Sequence, residues 1–369
     1  MNDPRASAFA ARADVERRVA STIRADIRAL NAYAVAKAEG MIKLDAMENP
    51  YPLPADVRAR LASALADVPI NRYPDGAADH VKAALRAALG LSESVGLIVG
   101  NGSDEILQII TTAVATPGAT IIAPDPSFVM YRLYATYANA RYVAVSLDDH
   151  FQLDADAMVG AIESEKPALV WIAYPNNPTG NLFDDQAVER IIRAAPGVVV
   201  VDEAYYAFAD RSFLPRALDF PNLIVVRTLS KIGMAGLRLG YAAAHPAWIA
   251  ELDKVRPPYN VNSLTQAAVP LLLAERSLLD GQAIAIRAER SRLIAALATL
   301  DGVTVFPTAT NFVVARFPDA RTTFDALRDA RILVKNLHGW HPLLANCLRI
   351  TVGTPAENDA MLRVLKPLP

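Results

Sequence analysis

Lys231 stands in a glycine-punctuated stretch, Thr228-Leu229-Ser230-Lys231-Ile232-Gly233-Met234-Ala235-Gly236-Leu237-Arg238, with hydroxyls at Thr228 and Ser230 before it and the Arg238 guanidinium after it. A lysine amine attacks a carbonyl only once it has lost its proton, so it needs a partly desolvated, cation-rich setting. Ser230, Thr228 and Arg238 could clamp a phosphate and supply that setting. Taken alone, the stretch also reads as a solvated loop lysine ahead of a strand.

Three other stretches carry polar groups that could serve the same ligand. Gly100-Asn101-Gly102-Ser103-Asp104-Glu105 opens a predicted helix. Backbone N–H groups at a glycine-rich helix start make an anion site, although a plain helix capped by Ser103 or Asp104 reads the same way. Tyr174-Pro175-Asn176-Asn177-Pro178-Thr179-Gly180 is rich in turn dipeptides, and the doubled asparagine is its one hint of ligand contact. Asp202-Glu203-Ala204-Tyr205 follows a run of valines, where a carboxylate is costly unless it meets a cation. A protonated ring nitrogen would serve, with Tyr205 reaching the same ligand; a buried pairing with arginine would serve as well.

These stretches follow predicted strands. From about residue 80 the pattern alternates helix and strand, with helices over Val81–Leu89 and Asp104–Ala115. Buried strands are expected at Gly96–Val99, Thr120–Ala123, Tyr142–Val145, Ala168–Ala173, Val198–Asp202 and Leu223–Arg227. β-Branched runs ending at polar or Gly/Pro punctuation suit a mostly parallel sheet covered on both faces, and ligands bind at the C-terminal ends of such strands. After residue 265 the sequence predicts one long helical stretch, Thr265–Leu300, and strands at Val303–Phe306, Asn311–Phe317 and Leu348–Val352. The expected division is an N-terminal arm or helix over 1–40, a large α/β domain over 76–264, and a small α+β domain from 41–75 and 265–369.

Composition narrows the class. At 369 residues the chain exceeds a usual single core, so two lobes are expected. No apolar run reaches the roughly 18 residues of a membrane span. With 37 basic and 39 acidic residues and no basic tract, nucleic acid is not an expected partner. The single cysteine, Cys347, excludes an internal disulfide framework, and the five histidines show no metal-ligand spacing beyond the loop pair His338 and His341, so no metal is expected. The arginines of the first thirty residues are interspersed with Asp3, Asp14, Glu16 and Asp26, which suits an arm of a cytoplasmic enzyme better than a transit peptide.

An anion loop, an asparagine, an Asp/Tyr pair and a Lys/Arg pair on successive strand ends call for one ligand with a phosphate, an acidic oxygen, a protonated ring nitrogen and an aldehyde. Pyridoxal 5'-phosphate has all four, and a carboxylate beneath its ring nitrogen keeps it an effective electron sink. The chain resembles the fold-type I pyridoxal-phosphate enzymes of the class II aminotransferase branch, which are aspartate aminotransferase-like. More narrowly, it is similar to the histidinol-phosphate aminotransferase family. The resemblance runs from Ile42-Lys43-Leu44-Asp45-Ala46-Met47-Glu48-Asn49-Pro50-Tyr51, through Arg72-Tyr73-Pro74-Asp75-Gly76 and the stretches above, to Leu348-Arg349-Ile350-Thr351-Val352-Gly353-Thr354.

The resemblance implies roles residue by residue. Lys231 would bind the cofactor aldehyde and shuttle the proton, with Asp202 and Tyr205 as its catalytic companions. Asp202 would pair with the ring nitrogen, and Asn177 and Tyr205 would hold the ring oxygen, Asn177 also bordering the substrate. Ser230, Arg238, Thr228 and the backbone of Ser103 and Asp104 would bind the cofactor phosphate. Phe128 would stack on the ring, with Tyr131 as a rival. Tyr73 would reach the phosphate of a partner subunit, implying a homodimer. Tyr33, Lys335 and Arg349 would contact the substrate. Two departures stand out: Met47 where the family has Asn, and Lys335 where a second arginine is common. Lysine keeps the charge and loses the bidentate fork.

The implied reaction is ping-pong transamination between L-histidinol phosphate and 2-oxoglutarate in histidine biosynthesis. An aminotransferase for aromatic or aliphatic amino acids would need only Arg349, and a threonine-phosphate decarboxylase-like lyase would share the phosphate requirement. A cofactor-binding regulator would carry a helix-turn-helix domain, for which about 40 N-terminal residues leave little room. A dinucleotide-binding dehydrogenase is disfavoured because Gly100-Asn101-Gly102 lacks the third glycine of that fingerprint.

Overall fold

The computed structural model describes residues 4–32 and 36–366. Its strands, in chain order, are β1 Ile42–Leu44, β2 Gly96–Asn101, β3 Thr120–Asp125, β4 Arg141–Ser146, β5 Leu169–Ala173, β6 Val198–Asp202, β7 Leu223–Thr228, β8 Leu239–Ala244, β9 Thr304–Val305, β10 Phe312–Arg316, β11 Ile332–Asn336 and β12 Cys347–Thr351. Seven of them form one sheet in the order β2-β8-β7-β6-β5-β3-β4. All run parallel except β8, which is inserted antiparallel between β2 and β7. The other five form a second sheet, β1-β11-β12-β10-β9, in which β1, from near residue 43, pairs with β11 from the last third of the chain.

The large sheet is covered on both faces, and its central strands show why. Every residue of β5, β6 and β7 is buried. Side chains alternate faces along a strand. Val199 and Val201 enter one apolar cluster, and Val198 and Val200 enter the other. The flanking helices follow the complementary rule, with apolar residues on one stripe. In Asp185–Ala194, for instance, Val188, Ile191 and Ile192 are buried and the Asp184 carboxylate caps the Ala187 N–H.

Several sequence expectations need correction. Strand β4 lies at the sheet edge, so the segment 142–145, read as buried, is half-buried to exposed. Strand β8 escaped the reading because its Leu-Gly-Tyr-Ala-Ala-Ala composition lacks a β-branched run. The helical stretch expected over 265–300 is two helices, Ser263–Ala274 and Arg276–Leu297, parted at Glu275, whose backbone leaves the helical region. Within the first helix Pro270 has no N–H for the Gln266 carbonyl. His80 Nε2 lies 3.1 Å from that carbonyl and satisfies it. Among the described residues no helix is long and apolar enough to cross a membrane.

Candidate active site

Strand alternation fixes what the C-terminal ends of the sheet present. Asp202 continues the face of Val198 and Val200, and its register partners are Ala173 on β5 and Val226 on β7. Thr228, two residues beyond Val226, shares that face. Ala173, Asp202 and Thr228 therefore form the floor of one cleft. Asp202 is buried, and its hydrogen-bond partners are neutral: Tyr131 Oη donates to Oδ2 at 2.9 Å and the Ala204 N–H to Oδ1 at 3.2 Å. Burial lifts its carboxyl to about 7, against the Tyr131 hydrogen bond that favours the anion.

The pairing with arginine considered for Asp202 is made by its neighbour. Glu203 points to the opposite face, where its Oε2 accepts from Arg227 Nε at 2.9 Å and Ser212 Oγ at 2.9 Å, and Oε1 accepts from the Phe213 N–H. Both charges are buried. Removing one partner of such a pair leaves an uncompensated charge. Arg227→Met is therefore expected to lower unfolding free energy by ~3–5 kcal/mol in urea titrations.

Lys231 sits in a single 3₁₀ turn, Ser230–Ile232, just past β7. Its Nζ donates to the Ala46 carbonyl at 3.2 Å and lies 5.8 Å from the centre of the Tyr205 ring. Burial pulls its amine down to about 8, and the Arg349 guanidinium adds to the shift. The amine thus sheds its proton at a lower pH than an ordinary lysine. Tyr205 is itself buried, edge-on to Phe312.

Arg238 closes the other end of the cleft from a left-handed backbone conformation, φ 49°. Its guanidinium reaches Ser230 Oγ at 3.4 Å and the Asp104 carboxylate at 3.3 Å. Thr228 Oγ1 donates to Ser230 Oγ at 2.9 Å, so these hydroxyls already form a chain. The helix Ser103–Val114 begins here with Gly102 at its N-cap and no side-chain cap, which replaces the expected capping by Ser103 or Asp104. Gly102 has φ 84°, and a Cβ there would meet Arg238 Nη2 at 2.6 Å. A Cβ on Gly240 would meet the Ser103 nitrogen at 2.2 Å. The two glycines let helix start, β8 and guanidinium converge. Uncapped N–H groups, two hydroxyls and a guanidinium form an anion cradle, and a lone buried carboxylate lies across the cleft. These residues fit an elongated ligand with an anionic end and a protonated ring nitrogen.

Of the paired asparagines, Asn177 lines the cleft and Asn176 is buried in the turn, bonded to Ser127, Thr179 and the Pro126 carbonyl. Asn177 Oδ1 accepts from Arg349 Nη1 at 2.6 Å, and Arg349 Nη2 also reaches the Asp45 carbonyl at 3.2 Å. Arg349 and Lys335 are direct register partners on β12 and β11. Opposite residues on antiparallel strands share a face, which juxtaposes two cations. Burial, then Arg349, lowers the Lys335 amine below the usual lysine range, and its Nζ lies 5.0 Å from the centre of the Trp340 ring.

The cleft thus gathers Ser103, Asp104, Phe128, Asn177, Asp202, Tyr205, Thr228, Ser230, Lys231 and Arg238, with Met47 at its edge. Tyr131 is buried beneath Phe128 instead of lining the cleft. Lys335 and Arg349 stand beside the cleft on the second sheet, the latter touching it through Asn177. Tyr73 is exposed, stacks on Tyr259 at 4.6 Å, and is not among the residues lining the cleft of its own chain. Tyr33 lies outside the described residues.

The family model "Aminotransferase class I and II" matches residues 39–365. The chain belongs to the class I and II aminotransferases. Among curated members, a histidinol-phosphate aminotransferase of Chromobacterium violaceum is 53% identical over 348 residues, spanning 94% of this chain and 98% of that protein. Histidinol-phosphate aminotransferase 1 of Ralstonia nicotianae is 52% identical over 92% of each chain. Among solved structures, a Sinorhizobium meliloti histidinol-phosphate aminotransferase in complex with pyridoxal-5'-phosphate superposes with a TM-score of 0.84 at 27% identity, over 94% of this chain and 97% of that one.

Three features of this aminotransferase site are not visible in its motifs. The Tyr131–Asp202 hydrogen bond joins residues 71 positions apart. The Asp104 side chain orients Arg238, although the sequence marked only its backbone. Met47 adopts φ 54°, its N–H donating to Thr351 Oγ1 and its carbonyl accepting from Asn311 Nδ2. Asparagine tolerates that left-handed region better than methionine does. Met47→Asn is accordingly expected to fold normally, with a melting temperature equal to or above that of the parent aminotransferase.

Proposed function

We propose that this aminotransferase uses pyridoxal 5'-phosphate to exchange an amino group between L-histidinol phosphate and 2-oxoglutarate, the transamination that supplies histidinol phosphate to histidine biosynthesis in the cytoplasm. When bound, the cofactor supplies an aldehyde that condenses with amines and a ring that draws electrons from the carbon losing its proton. The Ser103–Asp104 backbone, Thr228, Ser230 and Arg238 would hold its phosphate. Phe128 would cover the ring, Asn177 and Tyr205 would hold the ring oxygen, and Asp202 would keep the ring nitrogen protonated. Lys231 Nζ would hold the cofactor through its aldehyde and would carry the α-proton, its lowered basicity suiting both tasks.

The observation that carries the substrate reading is the direct pairing of Lys335 with Arg349. Two adjacent cations suit a phosphate dianion, and Arg349 alone suffices for the carboxylate of glutamate. The naming of the curated relatives supports the same substrate. Half-reactions with histidinol phosphate, histidinol, phenylalanine and threonine phosphate test it. Histidinol phosphate should react fastest, and Lys335→Ala should cut its preference over histidinol by roughly 10–100-fold. Equal rates for histidinol and its phosphate would point instead to an aromatic or aliphatic aminotransferase. Carbon dioxide release from threonine phosphate would point to the lyase.

The proposal includes a homodimer in which Tyr73 reaches the cofactor phosphate of the partner subunit. Its support is the exposure of Ile70 and Tyr73, 82% and 81%, the most exposed large apolar side chains among the described residues and only three positions apart. Sedimentation of the holoenzyme as a monomer would overturn it.

A further inference from the structure

Tyr131 was expected only as an alternative ring-stacking residue, and its position suits another task. Its side chain is fully buried, and its ring lies parallel to that of Trp171, 6° apart in plane with centroids 5.1 Å apart. On the cleft side it meets Phe128 edge-on, at 88° and 5.5 Å. Its hydroxyl donates to Asp202 Oδ2 at 2.9 Å. One side chain therefore touches both the aromatic wall of the cleft and the carboxylate on its floor.

We propose that Tyr131 is a positioning residue for the cofactor: its hydroxyl fixes the orientation of the Asp202 carboxylate and its ring backs Phe128. The inference rests on the reading of Asp202 as the partner of the ring nitrogen. The geometry supports it in two ways. A buried tyrosine hydroxyl must find an acceptor, and this one is directed to a carboxylate whose other oxygen is held by the Ala204 N–H. With an anchor on each oxygen, the carboxyl plane is set before any ligand arrives, and a preset group loses no orientational freedom on binding. Burial, with the Asp202 charge, also raises the phenol well above the ordinary tyrosine range, so it stays a donor throughout the working pH range.

The test is Tyr131→Phe in the holoenzyme, which retains the ring between Trp171 and Phe128 and deletes only the hydroxyl. Cofactor affinity, measured by equilibrium dialysis, should weaken by roughly 10–100-fold, the scale of one hydrogen bond to a charged group. The absorption maximum of the bound cofactor should shift, and kcat should fall while KM for the amino donor holds within about twofold. Wild-type affinity, spectrum and kcat in Tyr131→Phe would overturn the proposal. So would losses confined to Tyr131→Leu, because they would assign the residue to ring packing alone. Asp202→Asn, measured in parallel, separates the two layers: wild-type cofactor affinity there would remove the underlying reading of Asp202, whatever Tyr131→Phe does.

Discussion

Lys231→Ala is expected to yield a folded protein that still takes up pyridoxal phosphate, no longer fixes it on borohydride reduction, and turns over ~10⁴-fold or more slowly. Uptake should persist because the hydrogen bonds of the phosphate cradle and of Asp202 do not pass through the lysine amine, although Ser230 shares its turn. Turnover should fail because, among the described residues, Lys231 is the one amine lining the cleft. Its acidity gives the expectation a pH axis. In the ligand-free chain burial holds the amine near 8, with the Arg349 guanidinium next in importance. Covalent capture of cofactor by stripped protein should therefore rise through about pH 8 and level off above it. The same shift acts on stability. Between 8 and the ordinary lysine value of 10.5 the unfolded chain binds more protons than the folded one, so this group's contribution to stability increases with pH across that window. Below 8 the penalty for burying the ammonium is complete. Full activity in Lys231→Ala, or capture that does not vary between pH 6 and 9, would remove Lys231 from its role.

The sequence carried the sheet and the residues of the cleft to different degrees. Strands β5, β6 and β7 were legible because burial on both faces demands continuous β-branched runs, and Val198–Val201 is such a run. Strand β8 was not, since close approach to the helix start at Ser103 requires Gly240, and small residues weaken the strand signal. The groups at strand ends were legible by type: a carboxylate after four valines is costly without a cationic partner, and the lysine gained meaning only from the hydroxyls, the arginine and the other strand ends around it. Their partners were not. That Asp202 meets Tyr131 while Glu203 meets Arg227 follows from alternation along β6 together with the contents of each face, and the contents of a face are a tertiary fact. The Lys335–Arg349 juxtaposition likewise depends on the β11–β12 register, which the spacing of two residues in the chain does not reveal.

Asp202→Asn is expected to move function and stability in opposite directions. The amide preserves shape and can still face a ring nitrogen, and it cannot balance a positive charge there. Losing one charge of a buried pair is worth ~3–5 kcal/mol, which corresponds to a loss of roughly 10²–10⁴-fold in kcat/KM. The cofactor-free protein should respond the other way. Its Asp202 is buried with neutral partners, and burial raises the carboxyl to about 7 from the ordinary aspartate value of 3.8. Between those values the folded chain holds a proton that the unfolded chain has released, so the contribution of this group to stability falls as pH rises, and above 7 the penalty is complete. Asparagine has no such penalty. Stripped Asp202→Asn should therefore match stripped wild type near pH 4, gain on it steadily up to about pH 7, and keep a constant margin above, as read from urea midpoints along the series. A margin independent of pH would mean that the carboxylate is not strained in the ligand-free chain. A carboxylate that destabilises its own fold until a cation arrives is a binding device, because the relief of that strain adds to the affinity for the ligand.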